Sequence, residues 1–169
     1  CSRLQDHSEL KYLPLIRDHY GVVCSHDHPF SRLDRPIGWR DVKKHRESWV
    51  GLISDTLVGR VHKKILGEGA ADNYPEEISS TYMLGSMLAL GNRFSIIPSL
   101  ARVAHQLNDF CFLELEKPYV ERELCLVTRR LRSMSPAACL LLETMYETIS
   151  ELELPIGAEL ISRNVEPVT

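Results

Sequence analysis

Between residues 49 and 128 the chain switches repeatedly between short apolar runs and stretches whose apolar residues recur three and four apart. Trp49 to Ile53 is an apolar run of strand length. Leu57, Val58, Val61 and Ile65 follow at helical spacing, and Gly67 and Gly69 end that helix. Glu76 to Ser79 predicts a second short strand. Ser79-Ser80-Thr81 then predicts the cap of a second helix, with Leu84, Met87 and Leu88 on one face and Gly91 at its end. Phe94 to Ile97 predicts a third strand closed by Pro98, and Leu100, Val103, Ala104 and Leu107 form a third helical stripe. Phe110 to Leu115 and Glu123 to Thr128 predict further strands. Ser135-Pro136 opens a long helix, with serine as its cap and proline in its first position; Leu142, Tyr146, Ile149 and Leu152 supply its apolar face. Strand and helix in alternation predict an open, largely parallel α/β sheet.

The flanks are less regular. The first twenty-four residues read as extended, with Pro14 suited to an edge or a strand end. Tyr20 to Cys24 is a short apolar strand, followed by the polar turn Ser25-His26-Asp27-His28-Pro29. Pro36 to Val42 predicts a loop entering a short helix. After Pro155 the pattern fades into an expected loose tail.

Composition narrows the function classes. Of the 169 residues, 44% are hydrophobic and 25% charged, as in a soluble globular domain. Twenty Lys and Arg stand against 23 Asp and Glu, a formal charge of -3, and no basic face is evident. A piece that gripped nucleic acid by itself would carry one. No apolar run reaches the roughly 20 residues needed to span a bilayer. The chain opens with Cys1 and shows no charged-then-apolar signal segment, so it is expected to begin in mid-protein. Cysteines stand at positions 1, 24, 111, 125 and 139, an odd number without a CxxC pair. Buried free thiols in a reducing cytoplasm are the expected state. A redox switch needs a thiolate in a basic neighbourhood, and the local sequence supplies none.

Three segments carry a family likeness. Tyr20 to Phe30, with its Asp27-His28-Pro29 turn, resembles a strand and "D-H-P-L" turn of LysR-type effector domains. Ser79-Ser80-Thr81 through Leu90-Gly91, followed by Phe94-Ser-Ile-Ile-Pro98, resembles their "S-S... V-A-x-G-x-G-V-A-L-L-P" block. Leu124 to Arg130 with Ser135-Pro136-Ala137-Ala138 resembles their "L-x-L-V-x-R... L-S-P-A-A" block. Order and spacing fit across roughly residues 9 to 152. The resemblance is to the ligand-sensing domain of a bacterial, cytoplasmic transcription regulator. It implies the type 2 periplasmic-binding-protein fold: two Rossmann-like α/β lobes with a cleft between them. Residues 1–22 and 124–153 would form the first lobe, incomplete here because its opening strand–helix–strand segment has no counterpart. Residues 23–123 would form the second lobe, and 154–169 a C-terminal tail. It also implies partners: a small-molecule effector, DNA through an upstream winged helix-turn-helix, and further subunits in a homodimer or homotetramer. By the same analogy, the helix after Pro98 and the strand 111–115 would lie at the subunit interface. One departure stands out. Asn92-Arg93 occupies the place of a second family glycine, and Arg93 either points to solvent or reaches the cleft mouth to hold an anionic effector.

In open α/β sheets ligands bind outside the carboxyl ends of the strands. Those ends are Ser54-Asp55-Thr56, Ser79-Ser80-Thr81 and Pro98-Ser99, and these eight residues are the expected effector-binding set. Two of the segments also start helices, whose free N–H groups and dipole favour carboxylate or phosphate. Asp55 weakens the argument for an anion: it is either the helix cap itself or selects a ligand carrying a hydroxyl or amino group. Without the resemblance, the same residues read as ordinary helix caps.

Other chemistry finds less support. His26-Asp27-His28, with His7 or His19, is a conceivable zinc set, but no Cys or Glu stands at a compatible short spacing. No G-x-S-x-G elbow, G-x-G-x-x-G or P-loop is present, so neither an enzyme nor a cofactor is expected. Arg129-Arg130-Leu131-Arg132 reads as a solvated strand end. The alternative to a regulator is a free solute-binding protein of the same fold. A helix-turn-helix upstream of Cys1 would mark the former, an export signal the latter.

Overall fold

The structure is a computed structural model and describes residues 7–53, 57–66, 76–130 and 132–161. Ser54, Asp55, Thr56, Gly67, Gly69 and Leu131 lie outside the described residues. The chain divides into two compact units, His19–Val120 and Cys1–Asp18 with Glu121–Thr169.

Within the unit His19–Val120, the C-terminal part of strand β1 (Leu10–Cys24) is flanked by β4 (Phe94–Pro98) and β5 (Cys111–Glu114). Both pairings are antiparallel, with Tyr20 opposite Pro98, and Gly21 opposite both Ile97 and Glu114. Tyr20 to Cys24 are buried throughout, as the near-continuous apolar run of a central strand requires. β2 (Val50–Leu52) pairs in parallel with β3 (Glu76–Ile78). A parallel bridge between Trp49 and Phe94 and a hydrogen bond from the Ser95 hydroxyl to the Val50 carbonyl, 2.8 Å, set β2 beside β4. β2, β3, β4 and β5 therefore run one way and β1 runs against them, which is how a largely parallel sheet accommodates this strand.

The helices follow the predicted order with shifted faces. α1 spans Trp39–Lys44, α2 Leu57–Leu66, α3 Leu84–Leu88 and α4 Ser99–Ala104. α2 turns Val58 and His62 into the core. Leu84 and Leu88 are fully buried on α3, and Gly91 closes the segment at φ +85°, a conformation that favours glycine. The stripe expected on α4 does not form. The helix stops at Ala104, Val103 and Ala104 are exposed, and the buried Leu107 reaches the core from the turn beyond. Gly21 lies beneath the Phe112 ring: an added Cβ would stand 2.5 Å from Phe112 Cζ and 2.8 Å from the Leu113 carbonyl oxygen.

In the other unit, β6 (Glu121–Arg129) and β7 (Ala158–Leu160) pair with β1, β7 antiparallel through Ile16, Arg17 and Asp18. The loose tail expected after Pro155 is thus corrected over residues 158–160. Gly157 at φ +89° turns the chain, Ile161 N–H donates to the Leu15 carbonyl at 2.9 Å, and Arg17 meets Glu159 at 2.6 Å. Three residues are too few to show periodicity, and the partners that hold them are distant in sequence. Pro14 sits inside β1 without ending it, since its fixed φ suits extended backbone. α5 (Pro136–Glu151) is capped as predicted, the Ser135 hydroxyl accepting from Ala138 N–H at 3.2 Å. Leu142, Tyr146 and Ile149 share its less exposed side, but Leu152 is 54% exposed because the helix has ended before it. Asp18, fully buried, receives Arg122 through Nε at 2.9 Å and Nη2 at 2.8 Å, so the charge is compensated where β1 and β6 meet. Arg129 and Arg130 are exposed.

Candidate functional site

Because β2, β3 and β4 are parallel, their carboxyl ends emerge at one edge of the sheet. β3 ends at Ile78 and delivers Ser79, Ser80 and Thr81; β4 delivers Pro98 and Ser99. The end of β2 lies between them and leads into Ser54-Asp55-Thr56, which fall outside the described residues. Ile53 N–H still donates to the Ile78 carbonyl at 3.1 Å, so β2 and β3 stay paired to their last residues. α2 then packs directly on the end of β2. A Cβ on Gly59 would fall 2.0 Å from the Ile53 carbonyl oxygen and 2.3 Å from that of Leu52, so only a residue without a side chain fits there.

Ser79 is exposed, and Ser80 and Thr81 are half-buried. Ser80 is extended (φ -141°, ψ 134°) and its hydroxyl oxygen accepts from Tyr82 N–H at 3.3 Å, so it caps the single 3-10 turn Thr81–Met83 that precedes α3. The hydroxyl hydrogen of Ser80 is not used in that cap. Thr81 Oγ1 lies 2.9 Å from His105 Nε2, and the His105 ring stands edge-on to Tyr82 at 4.9 Å between centroids. His105 follows α4 and is 24 residues from Thr81, so no local pattern pointed to it. Pro98 and Ser99 are buried, Pro98 as the extended residue that hands β4 to α4. The five described residues of the expected set thus occupy the ends of β3 and β4, with Ser79, Ser80 and Thr81 open enough for solvent contact and Pro98 and Ser99 beneath the surface.

Arg93 is placed differently from both expectations. It stands at the amino end of β4, away from the edge that carries Ser80 and Pro98. Its Nε and Nη2 each lie 2.6 Å from a carboxylate oxygen of Glu76, and its Nη1 donates to Asn92 Oδ1 at 2.9 Å. The pair is mostly shielded, 20% and 29% exposed, and each partner stabilises the other's charge: Glu76 is held below the usual carboxylate range and Arg93 above its own. It ties the start of β3 to the start of β4. Arg93→Gln should lower stability by about 1 kcal/mol, the size of one bidentate, partly buried pair. A urea midpoint equal to that of the wild type would remove this role.

The His26-Asp27-His28 turn is structural. His28 is buried, its Nδ1 accepts from Phe30 N–H at 3.1 Å, and its ring packs on Phe30 at 4.6 Å and Phe94 at 5.6 Å. Burial, followed by the nearby His45, pushes its pKa down to about 4. His26 Nδ1 instead lies 3.1 Å from Cys111 Sγ. Among the described residues, no three His, Cys, Asp or Glu side chains gather as a metal set, and no helix is long and apolar enough to cross a membrane.

A family model for the LysR substrate binding domain matches residues 1–150. No curated protein matches the chain in sequence. Solved structures share its fold at low identity. A reduced form of OxyR from N. meningitidis is 20% identical, with a TM-score of 0.71 over 96% of this chain and 72% of that one. The CcmR regulatory domain of Synechocystis PCC6803, in complex with 2-PG, is 13% identical with a TM-score of 0.67, over 90% of this chain and 73% of that one. The effector binding domain of QuiR in complex with shikimate is 17% identical with a TM-score of 0.64, over 91% and 72% respectively. The mixed α/β architecture, the order of its elements and the match over residues 1–150 agree: this chain belongs to the LysR substrate binding domain family and has the type 2 periplasmic-binding-protein-like fold.

Proposed function

We propose that this chain is the ligand-sensing part of a cytoplasmic, DNA-binding transcription regulator, without catalytic turnover. The effector is a small, anionic metabolite contacted by Ser79, Ser80 and Thr81, with Pro98 and Ser99 forming the floor and Ser54, Asp55 and Thr56 completing the set. DNA is bound by a separate winged helix-turn-helix, and the regulator assembles as a homodimer or homotetramer. Residues 23–123 act as one lobe, and 1–22 with 124–153 as part of the other. The observation that carries this reading is the convergence of three parallel strand ends, two of them bearing hydroxyl side chains, in a chain of this family. QuiR in complex with shikimate and CcmR in complex with 2-PG support a small-molecule ligand. The hydroxyl hydrogen of Ser80, unused in its cap, suits a carboxylate or phosphate oxygen.

The mechanism is a population shift. A ligand moves an equilibrium between two conformations only by its differential affinity for them, so the effector must touch groups whose spacing differs between the states. Thermal-shift measurements on the full-length protein with small carboxylates including shikimate, with aromatic acids and with amino acids test the reading. A ligand at a hundred times its Kd should add about 2.7 kcal/mol of stability. Ser80→Ala and Thr81→Val should each lose most of that shift. Thr81→Val also gives up the contact with His105, so each variant is compared with its own unliganded melting temperature. Wild-type shifts in both variants would remove these residues from the site.

A further inference from the structure

Cys24 and Cys111 are direct partners across β1 and β5. Directly opposed residues of an antiparallel pair point to the same face, with Cα atoms about 4.5–5.5 Å apart. That falls inside the span of about 4.4–6.8 Å that a disulfide bridges. Both are free thiols; within the single chain Cys24 is fully buried and Cys111 half-buried, so of the two only Cys111 presents surface to solvent. His26 Nδ1 lies 3.1 Å from Cys111 Sγ. Burial raises the Cys111 thiol, and the charge of Arg102 opposes it. A basic neighbourhood, weaker than the effect of burial, is assembled around Cys111 from residues 85 and 9 positions away in sequence. A reading confined to adjacent residues does not find it.

We propose that Cys24 and Cys111 form an oxidisable cross-strand pair, in which Cys111 is attacked first and Cys24 closes the disulfide. The oxidant is a small, soluble disulfide. Cys111 Sγ attacks one of its sulfurs, the S–S bond breaks, and the thiol proton passes through His26 to the departing thiolate. Cys24 Sγ then attacks Cys111 Sγ in the mixed disulfide, expelling the second half of the reagent, which takes the Cys24 proton. Two protein thiols are oxidised and one small disulfide is reduced to two thiols. Burial holds the Cys24 thiol high, at about 12, and raises Cys111 as well. Reaction is therefore slow until the proton is handed on, which is the part His26 plays. The bond would staple the end of β1 to the start of β5, at the edge opposite Pro98, and does not depend on the effector site above.

The test is incubation of the folded chain with oxidised glutathione, followed by intact-mass and peptide analysis. The wild type should become lighter by two hydrogen atoms and yield a Cys24–Cys111 linked peptide. Cys24→Ala and Cys24→Ser should stop at a glutathione adduct on Cys111, and Cys111→Ser should form no adduct at Cys24. His26→Gln should slow adduct formation about tenfold, the change in thiolate fraction for one pH unit. Circular dichroism confirms which variants are folded. A wild type that keeps a stable adduct on Cys111, or that shows no reaction at either thiol, overturns the proposal.

Discussion

Stability of the unit His19–Val120 should fall by about 6 kcal/mol as pH is lowered from 6.5 to 4, enough to unfold a domain of ordinary stability. The cause is two buried histidines. His62 is 0% exposed on α2, donates from Nε2 to the Ile96 carbonyl, and lies 5.2 Å edge-on from the Trp49 ring. Burial lowers its pKa to about 4, only partly opposed by that hydrogen bond. His28 is likewise held at about 4 by burial and by His45. The unfolded chain takes up these protons near pH 6.5, whereas the folded one does not until about pH 4. The stabilisation is therefore fully present above 6.5 and is lost as pH falls toward 4. Each histidine contributes about 3 kcal/mol over that window. Glu76 and Asp41, held below their usual range by their arginine partners, add to the loss as acid protonates them. Urea unfolding at a series of pH values measures the slope. His62→Gln, which keeps a donor for the Ile96 carbonyl, should remove about half of it. If His62→Gln and His28→Asn both retain the wild-type slope, the acid sensitivity has another origin.

Neither histidine was visible as a core residue in the sequence, and the reason is instructive. His62 stands four residues after Val58, on the buried side of α2, but a polar residue does not contribute to an apolar stripe. His28 appeared as part of a metal-like turn, whereas its ring fills space between Phe30 and Phe94. What periodicity does register was legible. The strands β2 to β6, the helices α2 and α3 and the serine caps at 80 and 135 follow from short-range spacing, whereas the stripe expected on α4 does not. The direction of β1 was not, because an antiparallel neighbour leaves no mark on a run buried on both faces. Partners distant in sequence were missed in the same way: His105 for Thr81, Glu76 for Arg93, and β1 for the three residues of β7. In the candidate site, the positions of Ser79 to Thr81 and of Pro98-Ser99 at strand ends could be read. Which of their polar atoms were already engaged could not.

Gly59→Ala should be the most damaging single methyl that can be added to this chain near its candidate site. The new Cβ would sit 2.0 Å from the Ile53 carbonyl oxygen and 2.3 Å from that of Leu52, and both obstacles are backbone. A flexible side chain could swing aside, but these carbonyls belong to the end of β2, where Ile53 N–H is bonded to Ile78. Relief therefore requires α2 to lift from the sheet, which withdraws Val58 and His62 from the core they share with Trp49. Overpacking of this kind costs about 3 kcal/mol, against a gain of under 1 kcal/mol from the better helix propensity of alanine. The same displacement moves the start of α2 relative to Ser80 and Thr81, so ligand shifts should weaken along with the unliganded stability. Urea midpoints for Gly59→Ala and for alanine placed at an exposed helical position, Ser86→Ala on α3, separate the steric clash from the helix propensity of alanine. Gly59→Ala should be strongly destabilised while Ser86→Ala stays near the wild type. A Gly59→Ala protein as stable as the wild type would mean that α2 does not rest on the end of β2 as described.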